Sequence, residues 1–371
     1  MNNSVIRWGI LGTANIARKN WKSIRNSGNG TVRAVASRDA LRASQFVRDC
    51  QYSAPFDHEP TACGSYQELL DRSDIDAVYI PLPTGIRRDW VVRAADAGKH
   101  ILCEKPCGSD AREVREMLRA CERNQVQFMD GVMFMHSARL ELLRQVLDDD
   151  NSVGPIRRIS SQFSFLAPEA FRQENIRVSS QLEPLGCLGD LGWYNVRFSL
   201  WAMNYAWPQS VTGRILAQHG RDDSESAVPV EFSGELFFEG GVTAAFYCSF
   251  VTEHQQWAHI SGGRGSIHVP DFVLPYFGGE AAFELNKPSF EVHGCDFNMV
   301  NHSRRFAVPE YGSGYPRAQE SNLFRKFGQI VTSREREPQW GTIALQTQEV
   351  IDACLLSARQ DGVRTPVATA D

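Results

Sequence analysis

The 371-residue sequence contains no apolar run long enough to span a bilayer, so no membrane role is expected of it. It also lacks a basic block or a basic stripe interleaved with aromatics. Its 39 Lys and Arg stand against 44 Asp and Glu, a net charge of −5, which argues against nucleic acid as a partner. Paired-cysteine patterns are missing too: the nine cysteines are scattered and odd in number. Cys103 and Cys107 stand closest, with no His or further Cys to complete a site, so neither a disulfide framework nor a metal centre is expected. No succession of basic, apolar and small residues opens the chain, and with free thiols this predicts a cytoplasmic protein. Internal repeats and low-complexity linkers are absent, yet the length exceeds what one typical core supports, so two domains are expected.

What is present starts at Arg7. The apolar run Ile6 to Leu11 stops at Gly12-Thr13-Ala14-Asn15-Ile16-Ala17, after which Ile16, Trp21 and Ile24 recur at helical spacing, and a second apolar strand, Val32 to Ala36, follows. This is a βαβ unit whose helix N-terminus, with free N–H groups and a favourable dipole, suits a pyrophosphate. The dinucleotide fingerprint G-x-G-x-x-G/A is met by Gly12 and Ala17, with Ala14 in place of the middle glycine. Where an NAD site carries an acid for the ribose hydroxyls, this chain has Ser37 and Arg38, which can hydrogen-bond a 2′-phosphate; NADP is therefore favoured over NAD.

The α/β pattern continues with helices expected over 40–50, 66–71, 87–97 and 110–124 and strands over 76–82, 99–103 and 126–130. Pro81-Leu82-Pro83-Thr84 ends one strand in a loop on the ligand-binding edge of the sheet, and Glu104-Lys105-Pro106 ends the next on the same edge. The dinucleotide domain is expected to occupy residues 1–130. Beyond it, 156–165, 232–238, 242–250 and 266–269 read as strands without intervening helices, so residues 131–371 are expected to form an α+β domain on an open, mostly antiparallel sheet. Its helices are placed at 138–147, 190–202, 318–332 and 344–359. Asp190 and Tyr194, four apart in Gly189-Asp190-Leu191-Gly192-Trp193-Tyr194, share one helix face. Taken alone, they read first as a helix cap and a core aromatic.

The opening turn, Asp76-Ala77-Val78-Tyr79-Ile80-Pro81-Leu82-Pro83, the run Ala97 to Pro106, and Gly189 to Tyr194 together resemble the glucose-fructose oxidoreductase / inositol dehydrogenase / MocA family. The tyrosine at 194 and the Ser37-Arg38 pair resemble its branch of NADP-dependent xylose and dimeric dihydrodiol dehydrogenases. The resemblance implies a catalytic group of Lys105, Asp190 and Tyr194. It also implies a cofactor site at Gly12, Thr13, Ala14, Asn15, Ile16, Ser37, Arg38, Pro81, Leu82, Pro83, Thr84, Glu104 and Lys105, with Arg87, His136 and Asp190 near the substrate. Arg87 stands where many members have His, and the segment 133–138 lacks the family's aromatic-Arg-aromatic-His-Pro pattern. The expected activity is NADP(H)-dependent hydride transfer to or from a sugar, sugar derivative or polyol. Tyr194 is the first choice for acid/base work, its pKa lowered by the Lys105 ammonium, and exchange of the two roles stays open. The same architecture also serves dinucleotide-dependent glycosidases and non-catalytic NADP sensors. A homodimer or homotetramer is expected through the open sheet face, because Phe232, Phe238, Phe246, Tyr247 and Phe250 are too many aromatics all to face inward.

Overall fold

A computed structural model describes residues 5–276, 278–312 and 314–367. Six parallel strands form the first sheet: β1 (Ile6–Leu11), β2 (Gly30–Ala36), β3 (Thr61–Cys63), β4 (Ala77–Ile80), β5 (His100–Cys103) and β6 (Phe128–Asp130). Their order, β3-β2-β1-β4-β5-β6, reverses direction at β1 and β4, which opens a crevice at the carboxyl ends of those strands. The strands are buried on both faces, as their near-continuous apolar runs require. α1 (Asn15–Ser27) and α2 (Ala40–Ser53) cover one face, where Trp21, Ile24 and Phe46 meet Trp8, Ile10 and Tyr79. α3 (Tyr66–Leu70), α4 (Thr84–Asp96) and α5 (Ala111–Arg123) cover the other. α4 begins at Thr84 instead of Arg87, because Pro83 at φ −54° already has the torsion that leads into a helix.

The remaining chain carries α6 (Ala138–Asp148), β7 (Ile156–Ser164), α7 (Glu169–Glu174), α8 (Trp193–Ala202), β8 (Ser210–His219), β9 (Val228–Phe237), β10 (Thr243–Ser249), β11 (Gln255–Gly262), β12 (Ser266–Val269), β13 (Ala281–His293), β14 (Asp296–Val308), α9 (Gln319–Ser333), α10 (Gln339–Arg359) and β15 (Thr365–Pro366). The strands make a nine-stranded sheet, β14-β13-β12-β11-β7-β10-β9-β8-β15, antiparallel throughout except for the pairing of β7 with β10. α8 is buried on every side, and every residue from Trp193 to Ala202 is inside the protein. α9 packs back on the first sheet: Phe324 and Phe327 lie 5.2 and 5.1 Å, centroid to centroid, from Trp8. It fills the third helical position on that face beside α1.

The expected aromatic interface is not formed as reasoned. Phe232, Phe238, Phe246 and Phe250 are all buried, because the apolar sides of α8 and α10 need a large apolar surface to cover them. Only Tyr247 of the five faces away, with its hydroxyl bonded to Glu231 and, at 2.6 Å, to Thr252. Cross-strand pairing puts Ser160, Gln162, Ser233, Glu235, Thr243, Trp257 and His259 on that same, mostly polar face. The exposed apolar surface lies in the β13–β14 hairpin, where Phe290 pairs with Met299 and Val292 with Phe297.

Candidate active site

One cleft of about 1070 Å³ runs along the carboxyl edge of the first sheet and under the second. At its inner end β1 turns through Gly12, whose φ of +113° excludes a side chain without strain and whose N–H donates to Ala36 O at 2.9 Å. α1 follows with no side-chain cap and no acid in its first turn, so its first N–H groups remain available to an anion. Thr13, Ala14, Asn15 and Ile16 line this end, and the Ala14 methyl sits half-buried at its edge. Ser37 and Arg38 line the cleft at the end of β2, joined by Arg42 and Tyr66. An uncapped helix start, two arginines and no carboxylate at the end of β2 facing the cleft suit a phosphorylated dinucleotide. Among the described residues no three His, Cys, Asp or Glu gather as metal ligands.

Pro81, Leu82 and Pro83 form the middle wall, but Thr84 does not face the cleft. It is fully buried, and its N–H and hydroxyl donate to the Glu183 carboxylate at 3.1 and 2.6 Å. This contact fastens the first domain's loop to the second, and Gly85 permits the approach: a Cβ there would sit 1.9 Å from the Gln181 carbonyl oxygen. Arg87 reaches the cleft wall, yet its guanidinium is engaged by the carbonyls of Leu82, Glu104 and Pro106, two of these contacts at 2.9 Å. It braces the two loops and leaves no free fork for a substrate. Glu104 lines the cleft and accepts from the Tyr79 hydroxyl at 2.6 Å, in a buried network with Asn20.

Lys105, Asp190 and Tyr194 do come together. Lys105 Nζ donates to Asp190 Oδ1 at 2.8 Å and to the Asp190 carbonyl at 2.7 Å, which leaves its third N–H for a ligand. Asp190 sits in a π-helical turn, Leu188–Gly192, whose extra width precedes α8 and aims the carboxylate into the cleft. Burial pushes this carboxyl up, but the charges of Arg177 and Lys105 and their hydrogen bonds outweigh burial and hold it at about 2. Tyr194 lies beneath the lysine, its ring centroid 4.7 Å from Nζ, so the ammonium sits over the ring face and not against the hydroxyl. Among the described residues the hydroxyl's hydrogen-bond partner is Met133 Sδ at 3.5 Å. The expected lowering of the tyrosine pKa is therefore overturned: burial, with Glu104 and Asp190 adding to it, raises it well above the ordinary value.

His136 belongs elsewhere. The 3₁₀ turn Met133–His136 sends Met133 to the cleft and His136 to a separate cavity, where it stacks on Trp340 at 4.9 Å and burial lowers its pKa to about 3. Sequence reasoning missed Arg177, whose Nε lies 2.8 Å from Asp190 Oδ2, and the apolar walls Phe163, Phe165, Ile176, Leu182 and Leu274. Arg177 stands in a short 3₁₀ turn, Ile176–Val178, between α7 and the π turn, too short for any periodicity to mark it; Arg42 lies in the first turn of α2, just after Arg38.

The profile described as "Oxidoreductase family, NAD-binding Rossmann fold" matches residues 6–132, and that of the GFO/IDH/MocA C-terminal domain matches 141–268. D-xylose 1-dehydrogenase (NADP(+)) 2 of Haloferax volcanii is 32% identical over 71% of this chain and 75% of its own length. Trans-1,2-dihydrobenzene-1,2-diol dehydrogenase of Mus musculus is 30% identical over 80% of this chain and 84% of its own. Among solved structures, a 3-ketoreductase from Actinomadura kijaniata in complex with NADP and TDP-benzene superposes with a TM-score of 0.79 at 25% identity, over 95% of this chain and 98% of that one. With both halves matched in order and relatives this similar across most of their length, the chain belongs to the Gfo/Idh/MocA family of oxidoreductases.

Proposed function

We propose that the protein is an NADP(H)-dependent oxidoreductase that interconverts a CH–OH carbon and a carbonyl in a sugar, sugar derivative or related polyol. The observation that carries this reading is a single cleft joining the uncapped start of α1, Ser37, Arg38 and Arg42 at one end to Lys105, Asp190 and Tyr194 at the other. Residues 1–130 would hold the cofactor, with Gly12 to Ile16 beneath the pyrophosphate and Arg38 beside the 2′-phosphate. Residues 131–371 would supply the substrate wall, whose apolar side chains suit the C–H faces of a sugar ring. NADP, when bound, supplies or accepts the hydride.

The chain's own residues manage the proton. Lys105 keeps one N–H beyond its two bonds to Asp190 and carries it on a charged group, so it is assigned the proton transfer at the reacting oxygen. Tyr194, kept protonated by its surroundings, donates a hydrogen bond to that oxygen. Asp190, held ionised, fixes the lysine from below. In oxidation the substrate O–H bond breaks toward neutral Lys105; in reduction the ammonium returns the proton.

A thermal-shift panel with NADPH, NADH and a set of sugars, paired with absorbance at the reduced nicotinamide band, tests the reading. Stabilisation by NADPH above NADH and turnover of at least one sugar or keto-sugar are expected. Free sugar released with no net cofactor change would point to glycosidase chemistry, and NADPH binding with no turnover of any panel member to a sensor. The β13–β14 hairpin supports a homo-oligomer through the second sheet, since a two-stranded ribbon exposing Phe290, Val292, Phe297 and Met299 needs a cover; a monomer by light scattering would reject it. Eight of nine free cysteines are buried, which supports a reducing compartment such as the cytoplasm. No helix of the described residues is long and apolar enough to cross a membrane.

A further inference from the structure

Asp190 is held by two cations, not one. Its Oδ1 takes Lys105 Nζ at 2.8 Å and its Oδ2 takes Arg177 Nε at 2.8 Å, while the lysine side chain is only 10% exposed and the carboxylate 14%. A carboxylate that buried requires a charged partner, and loss of that partner carries a penalty of desolvation with nothing to offset it. If Lys105 were the sole partner, each proton it gave up would strand the carboxylate. Arginine does not deprotonate in this range, so a second, permanent cation changes the outcome.

We infer that Arg177 is a positioning residue, a fixed counter-ion to Asp190 that allows Lys105 to release and recover its proton without leaving the carboxylate unpaired. The inference rests on the assignment of proton transfer to Lys105 made above. With the lysine charged, the trio Lys105, Asp190 and Arg177 carries one net positive charge; with the lysine neutral, it carries none. Arg177 therefore disfavours the ammonium through like charge, and it also keeps Asp190 in place when the ammonium is gone.

The other charged groups around the trio are held by other partners, most of them neutral, which fix their positions without cancelling their charges. Glu104, beside Lys105 in sequence, accepts from Tyr79. Glu183, from the loop before the π turn, is bonded to Thr84. The Arg87 guanidinium on α4 is engaged by backbone carbonyls. Glu320 on α9 is ion-paired with Lys19 on α1. Tyr194 on α8 stays a neutral phenol, and Glu174 and His254 lie exposed at the outer rim of the cleft. Among the described residues, Arg177 is the one cation besides Lys105 that touches the Asp190 carboxylate.

Competitive labelling of the full-length protein with trace acetic anhydride between pH 6 and 11, read at the Lys105 peptide by mass spectrometry, measures the neutral amine directly. It needs no substrate. Arg177→Gln is expected to move the Lys105 labelling midpoint up by about one pH unit or more, the size of shift a neighbouring charge imparts. Arg177→Lys, which keeps the charge, is expected to stay within a few tenths of the native midpoint, and Asp190→Asn to move it down. A midpoint in Arg177→Gln equal to the native one would overturn the inference. Single-turnover hydride transfer by Lys105→Met separates the two claims. Full activity there would remove the lysine from the proton transfer while leaving the Arg177 coupling standing or falling on the labelling alone.

Discussion

Tyr194 can act only if α8 is held at the correct height over the cofactor domain, and the residue that fixes this is one turn further on. Arg197 is completely buried and reaches Asp130, at the end of β6, through Nη2–Oδ2 at 2.6 Å and Nη1–Oδ1 at 3.3 Å, with Nε donating to Thr347 on α10 at 2.8 Å. Asp130 is 1% exposed, so neither charge is screened by solvent. Asp130→Asn removes the carboxylate and turns an amide toward a guanidinium that has no route to water. Breaking a buried pair from one side costs about 3–5 kcal/mol. Against a total stability on the order of 5–15 kcal/mol, that is a large fraction, and about 4 kcal/mol is roughly a thousandfold in the unfolding equilibrium. Urea denaturation followed by tryptophan fluorescence should show it as a lowered midpoint at similar slope. Arg197→Met should lose a comparable amount. The double variant should lose about 2 kcal/mol or more less than the sum, because it no longer strands a charge. A loss under about 1 kcal/mol in Asp130→Asn, or strict additivity in the pair, would refute the claim that this contact registers the two domains.

Arg38→Ala should reduce the preference for NADPH over NADH by about tenfold, roughly 1.4 kcal/mol and the low end of one charge-assisted phosphate contact, given that Arg38 is exposed; fluorescence titration with both cofactors checks it. Asp352 on α10 has its carboxyl pushed up to about 6 by burial, despite hydrogen bonds from Ala111 N and Gln348. An acid whose pKa is higher in the folded state favours folding while protonated, so stability should fall as pH rises from about 4 to about 6, by about 3 kcal/mol in total. Asp352→Asn should flatten that slope in thermal denaturation across the same window; a slope unchanged by the substitution would assign it to other groups.

The first sheet was legible because its strands are short apolar blocks separated by turn residues, and because a parallel sheet covered on both sides leaves each block little choice. The glycine turn, the Pro-Leu-Pro exit and Glu104-Lys105-Pro106 could all be placed on one edge from strand order alone. β13 and β14 were not picked out: Phe290, Val292, Phe297 and Met299 do alternate with polar residues, but Pro288 interrupts the first strand and the residues from Lys287 to Arg305 are exposed, so no buried face supports the pattern. α9 was found as a helix but not as a member of the first sheet's cover, since an amphipathic face does not name the surface it will meet. Of the expected site residues, Gly12 to Ile16, Ser37, Arg38, Glu104, Lys105, Asp190 and Tyr194 line one cleft. Thr84 and Arg87, in the first turn of α4, and His136, in a 3₁₀ turn, are drawn into contacts with Glu183, backbone carbonyls and Trp340, which the sequence does not reveal. The tyrosine's chemistry was misjudged for a related reason: proximity of Lys105 was inferred, but its position over the ring face, not beside the oxygen, is a matter of ångströms.

The most direct test of the central claim is single-turnover hydride transfer, followed by NADPH absorbance, for the native protein, Lys105→Met and Tyr194→Phe, using whichever panel sugar turns over. General acid/base groups typically contribute about 100- to 10,000-fold. Lys105→Met should fall by that range while NADPH affinity and denaturation midpoint stay close to native. Tyr194→Phe, losing one hydrogen bond to the reacting oxygen, should fall by about 10- to 100-fold, the equivalent of about 1.5–3 kcal/mol. Undiminished transfer in Lys105→Met would contradict the account at its centre, whatever the tyrosine variant does.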